Sequence, residues 1–355
     1  MRALTSVKRA QHYVKTLRAD SAFLINRRCM RSEKKGARRG PSIALVTIWL
    51  TFSIWELGNS MNQKTLFLGN GLNRTLKGGV SWAELMRKLG SQEPEGSNVP
   101  FPIEFEQLAA RRGCLVGKRN VDPYKDLRNM IVEEVSNEQC SSDSVHRCFC
   151  DLPFDHMVTT NYDRIFDNQY KLEAIVSNPG YSRNILGPIY RSGNRDFYHA
   201  HGIDKWKNTL CLGHEHYAAL IGKIRKEFYP NEDTGNALLV DLVTGQKESL
   251  NIWPELFLTN DVAIVGFGLD YCESDIWWLL ALRAALFAPC KSLDAYANEI
   301  TYFKAQIKGR SSGLQETCRL NALASLGVTV SVIEDSDYEG AYRQIAEELR
   351  KRWKS

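Results

Sequence analysis

The chain has 355 residues, 43% hydrophobic and 25% charged, enough apolar material for one or two cores; this excludes a disordered tail, a collagen or a disulfide miniprotein. The formal charge of +5 belongs to the N-terminus: residues 1–60 carry 12 Lys/Arg against 3 Asp/Glu, and the remaining 34 Lys/Arg face 38 Asp/Glu. A mildly acidic body lacks the clustered cations that track phosphate backbones, so no direct nucleic-acid partner is expected.

Nine cysteines, scattered without a C-x-x-C pair, argue against a zinc ribbon and a disulfide framework and suit a cytoplasmic location. Residues 1–60 form a basic leader whose apolar stretch, Pro41 to Trp55, falls short of the roughly 20 residues a spanning helix needs. A membrane partner is therefore not expected. A globular pattern starts after Met61, and we read 61–355 as the functional domain, with Met61 as the working start.

From there, strand and helix alternate. Thr65–Leu68 predicts a strand ended by Gly69-Asn70-Gly71, and Ser81-x-x-Glu84 predicts a capping box opening a helix to about Leu89. Helices at 102–112 and 124–135 make a helical insertion around 100–150. The run His156–Thr160 predicts a strand passing into Asn161-Tyr162-Asp163, and Phe197–Ala200 another. His214–Phe228 reads as a helix. Asp261–Val265 reads as a buried strand ending in Gly266-Phe-Gly268, before an apolar helix capped at Ser274-Asp275. A helix from Gly313 to Leu326, a strand Val328–Ile333 and a helix opened by Ser336-x-x-Glu339 complete the chain. Such alternation implies an α/β, Rossmann-like fold: a mostly parallel sheet with helices on both faces and ligands at the strand carboxyl ends.

Three strand ends carry unusual chemistry. Gly69-x-Gly71 would let a backbone approach a phosphate, although Arg74 stands where the dinucleotide fingerprint needs its third glycine. Asn161 offers a carboxamide that never titrates, and Asp163 a ribose-hydroxyl acceptor or an Asx turn. His199-Ala-His201 places two imidazoles on one face if extended, but no third metal ligand has good spacing; a single histidine could act as general base. The loop Gly266–Asp275 could present amides and a positive helix end to a pyrophosphate.

Taken in order, FLGNGLNR, VTTNYDRIFD, FYHAHGI, GHEHYAAL and VAIVGFGLDYCESDIWWLL resemble the sirtuin-like superfamily, specifically the bacterial sirtuin-like domain of NAD-consuming antiphage defence proteins. That resemblance implies Asn161 and His201 as the catalytic pair. It implies nucleotide contacts at Gly69, Gly71, Thr160, Asp163, Gly266, Gly268 and Leu269; Asn70 and Asn73, where the first turn departs from the family's pattern, and Asp275 at the capped helix are expected to contact the nucleotide as well. The four-cysteine zinc module of protein-deacylating relatives is missing, so hydrolysis of NAD to nicotinamide and ADP-ribose is expected, with NAD as substrate and no metal. A homo-oligomer, and control by assembly or by a partner protein, are implied as well. Two alternatives are a catalytically silent module binding NAD or ADP-ribose, and a protein deacylase.

Overall fold

The computed structural model describes residues 62–76, 81–94, 99–112, 124–137, 144–177, 185–231, 235–287, 293–310 and 312–354. The basic leader and its apolar stretch lie outside the described residues. Eight strands form one sheet: β1 (Lys64–Leu68), β2 (His156–Thr159), β3 (Glu173–Ala174), β4 (Tyr190–Ser192), β5 (Arg195–His199), β6 (Asp261–Val265), β7 (Ile300–Ile307) and β8 (Thr329–Asp335). Their order is β3-β4-β5-β2-β1-β6-β7-β8, parallel from β5 to β8 and antiparallel at the β3-β4 edge.

Helices α1 (Trp82–Lys88), α2 (Phe101–Arg111), α3 (Lys125–Asn137) and α4 (Ser144–Cys150) all fall between β1 and β2. The rest are α5 (His214–Phe228), α6 (Ala237–Val243), α7 (Trp253–Thr259), α8 (Ser274–Phe287), α9 (Leu314–Ser325) and α10 (Tyr338–Lys354). No helix among the described residues is long and apolar enough to cross a membrane.

The apolar run in β1 follows from burial on both faces. Phe67 packs into one cluster with α5, α7 and α8, whereas Leu66 and Leu68 pack into another with α4 and α10. A third cluster joins α1, α2 and α3 through Met86, Phe105, Leu127 and Ile131, and reaches the site through Tyr162. The helical insertion thus has its own small core, seated beside the end of β2.

Chain order reverses at β1: one crossover leads to β2, and a later return places β6 on the other side. Leu68 lies in register with Thr159 on one side and Val265 on the other. The three chemically unusual strand ends are therefore neighbours, at the point in the sheet where ligands collect in doubly wound folds.

Candidate functional site

At the end of β1 the chain enters a 3-10 turn, Asn70–Thr75. The Gly69 N–H donates to Val265 O at 3.0 Å and the Gly71 N–H to Gly266 O at 2.5 Å. A Cβ on Gly69 would come within 2.6 Å of Phe267 Cα, and one on Gly71 within 2.5 Å of Gly266 O. These two glycines are needed so that two loops can touch, and both amides donate across that contact. Gly266 itself adopts φ +65° and Leu269, buried, φ +46°. Gly268 is open, with nothing within 4 Å of a Cβ placed on it.

Below this turn sits a polar network. Asn73 Nδ2 donates to Asn70 Oδ1 at 2.7 Å and to Asp163 Oδ2 at 2.9 Å, while His146 Nε2 lies 3.1 Å from Asn73 Oδ1. Asp163 Oδ1 accepts from Ile165 N–H, closing an Asx turn. Burial pushes the Asp163 carboxyl up, against the opposing pull of Ile165 N–H and Asn73. Asn70, Asn73 and Asp163 are thus bound to one another, and Thr160 N–H donates to Leu68 O.

Asn161 differs from all of these. It is 3% exposed, and neither Oδ1 nor Nδ2 has a hydrogen-bond partner. A buried carboxamide left unsatisfied costs about 1–3 kcal/mol, so this group could take a hydrogen bond from a ligand or a water without breaking one inside the protein. Its backbone is fixed: the Asn161 N–H donates to Thr159 Oγ1 at 3.1 Å, and Asn161 O lies 3.3 Å from His199 Nδ1. Asn161 lines a small niche with Trp82, Tyr162, Asp163 and Asn70, in which the Trp82 and Tyr162 rings meet edge to face at 5.1 Å.

His199 and His201 do not act as a pair. His199 Nε2 lies 3.0 Å from Asp167 Oδ2, so both of its ring nitrogens serve the scaffold. His201, two residues past the end of β5, places Nε2 2.9 Å from Asp275 Oδ2. Asp275 reaches it from the first turn of α8, is fully buried, and keeps Oδ1 without a partner. On the other side, His201 Nδ1 stands 3.7 Å from Glu273 Oε2, beyond hydrogen-bonding reach, and Tyr217 donates to that same Oε2 at 3.0 Å. Burial opposes the charge on His201, but the Asp275 carboxylate, its hydrogen bond and Glu273 hold the imidazole pKa above its ordinary value. Burial pushes the Glu273 carboxyl up to about 7, with His201 pulling the other way.

His201, Glu273 and Asp275 bring three possible metal ligands within 4.8 Å of one another. The two carboxylates, however, approach different ring nitrogens, an arrangement that suits an oriented and partly charged imidazole better than a shared cation. His214 and His216 diverge as expected on a helix, one exposed and one buried.

An open cleft of about 1380 Å³, solvent-filled mouth included, runs across the ends of β1, β6 and β7. It contains Asn70, Gly71, Thr160, Gly266, Gly268 and Leu269 among its walls and shares Asn70, Ser81 and Trp82 with the Asn161 niche. Glu273 lines it as well. Sequence reasoning missed Glu273 and Trp82 as site residues: the first looked like one more polar residue in a loop, the second like part of a capping box. Comparison with protein-family models finds no match, and no curated protein matches the chain.

Proposed function

We propose that the chain is a sirtuin-like NAD glycohydrolase, cleaving the nicotinamide–ribose bond to give nicotinamide and ADP-ribose. The observation that carries this reading is the unpartnered carboxamide of Asn161, buried near the switch point of a doubly wound sheet in a residue that lines an aromatic-walled niche. Cleavage of such a bond passes through an oxocarbenium-like state, which needs a held ribose and excluded water more than a strong nucleophile. Asn161 would hold the ribose or the attacking water, and the niche beside Trp82 would take the departing ring. His201, turned by Asp275 at Nε2, would accept a proton at Nδ1 from a ribose hydroxyl or from water as charge shifts.

The role of an NAD-depleting effector in antiphage defence, working as an oligomer or under a partner's control, rests on the resemblance of the five sequence blocks. Incubating the purified full chain with NAD and no peptide, and following free nicotinamide and ADP-ribose, tests the activity. Tight NAD binding without release would favour the catalytically silent module.

A further inference from the structure

Beyond the switch point the cleft changes character. Asn161 at the end of β2 and Lys304 in β7 are separated by β1 and β6, three strand spacings or about 14 Å. A dinucleotide with its nicotinamide end beside Asn161 and its pyrophosphate over the β1 and β6 turns would bring its adenosine end over β7.

There the walls turn basic. Arg74, Lys304 and Arg319 line the cleft, and an adjoining hollow of about 590 Å³ shares Arg74 and Lys304 and adds Arg310. Three carboxylates line the same cleft: Glu316 pairs with Lys304, Asp270 stands 3.9 Å from Arg319, and Glu273 accepts from Tyr217 beside His201. Arg74 lies over the Tyr338 ring at 5.8 Å, and neither it nor Arg310 makes an ion pair among the described residues. Arg310 sits on an anchored turn: its N–H donates to Ile307 O at 3.0 Å, and its carbonyl accepts from Gln306 Nε2 at 2.8 Å. Burial, followed by Arg319 and Arg310, lowers the Lys304 pKa, as expected where cations crowd without a full set of anions.

Of the two arginines without an ion pair among the described residues, Arg74 rises from the β1 turn, beside the place where a pyrophosphate would sit, whereas Arg310 lies past it, near Lys304, where a further phosphate could be met. In dinucleotide-binding folds a carboxylate accepts from the ribose 2′-hydroxyl, whereas an arginine accommodates a 2′-phosphate. Here Glu316 and Asp270 already face cations, and Arg310 pairs with no carboxylate among the described residues.

We propose that the β7–β8 end of the cleft binds a phosphate on the adenosine ribose, so that the preferred substrate is the 2′-phosphorylated dinucleotide, NADP. Its catalytic part rests on the glycohydrolase reading; the phosphate site does not. Calorimetric titration of the purified full chain with AMP, adenosine 2′,5′-bisphosphate and adenosine 3′,5′-bisphosphate tests it, alongside nicotinamide release from NADP and NAD. The 2′,5′-bisphosphate should bind at least tenfold more tightly than AMP, and kcat/KM should favour NADP by a similar factor. Arg310→Ala should remove most of both preferences, and Arg310→Lys should restore part. Equal affinity for AMP and the 2′,5′-bisphosphate, tighter binding of the 3′,5′ isomer, or a preference untouched by Arg310→Ala would each overturn the assignment. If neither dinucleotide is cleaved while the Arg310-dependent preference persists, the hydrolase reading fails and the phosphate site stands.

Discussion

His201 and Asp275 are 74 residues apart in the chain, yet Nε2 of the first lies 2.9 Å from Oδ2 of the second, and both side chains are buried. The pairing joins the end of β5 to the first turn of α8, across the ends of β2 and β1. It engages Nε2, leaving Nδ1 as the other ring nitrogen, and against the opposing effect of burial it raises the imidazole pKa.

A pH dependence follows from that direction. A base whose pKa is raised works only once deprotonated, so kcat/KM for nicotinamide release should rise with pH through a limb above the ordinary histidine value of about 6.5. Asp275→Asn removes the carboxylate that raises it. The limb should then move to lower pH, with the plateau reduced about 10²-fold. An unmoved limb in the Asp275→Asn profile would assign it to another group.

Stability should follow the same pair with the opposite slope. A raised histidine pKa contributes stability that is full below about pH 6.5 and is lost as pH climbs through the folded value. Glu273, raised to about 7, acts in the same sense, with stability falling between its unfolded value near 4.5 and about 7. Thermal melts of Glu273→Gln should therefore show a smaller loss between pH 5 and pH 8 than the parent chain. An unchanged loss would mean that Glu273 titrates at an ordinary carboxylate value.

On the proposed reading, His199 is a positioning residue. It holds the Asn161 carbonyl and balances Asp167, itself 7% exposed. Removing one partner of such a buried pair costs about 3–5 kcal/mol. His199→Ala should lower the melting temperature strongly, and His199→Gln should lose less of the fold while still slowing catalysis. A His199→Ala protein as stable as the parent would contradict that assignment.

The glycines separate by environment. Gly71→Ala would drive a Cβ into the Gly266 carbonyl, at a cost of about 1–3 kcal/mol from overpacking. Gly268→Ala meets nothing in the protein and should leave stability within about 0.5 kcal/mol, while weakening nucleotide binding if the ligand lies against that backbone. Paired melts and NAD titrations of the two variants check this. Equal destabilisation would show that the two loops can part.

Much of the frame was legible because its signals are local. Helix α5 and strand β6 have the predicted ends, and Ser81 accepts from Glu84 N–H as its capping pattern predicts. Strand β7 escaped because no glycine or proline announces it, and its second half is only partly buried around Lys304 and Gln306. The last helix was misplaced at its start. Ser336 bonds to Asp335 instead, and Asp337 Oδ1 accepts the Gly340 N–H, so the cap is Asp337. Asn161 and His201 stood out as polar residues just past strand ends, but the Asp275 and Glu273 contacts depend on strand order, which no local pattern records. The loop contact made by Gly69 and Gly71 was hidden for the same reason: their close neighbour is a loop nearly 200 residues away.

Asn161 offers the most direct test, because its side chain makes no hydrogen bond that substitution could break. Single-turnover nicotinamide release should be measured for the parent chain, Asn161→Ala and His201→Ala, each with a thermal melt. Asn161→Ala should release no nicotinamide above background while melting at the parental temperature or slightly higher, since an unsatisfied polar group has been removed. Release at the parental rate from a folded Asn161→Ala protein would contradict the catalytic role of this residue and the hydrolase reading built on it.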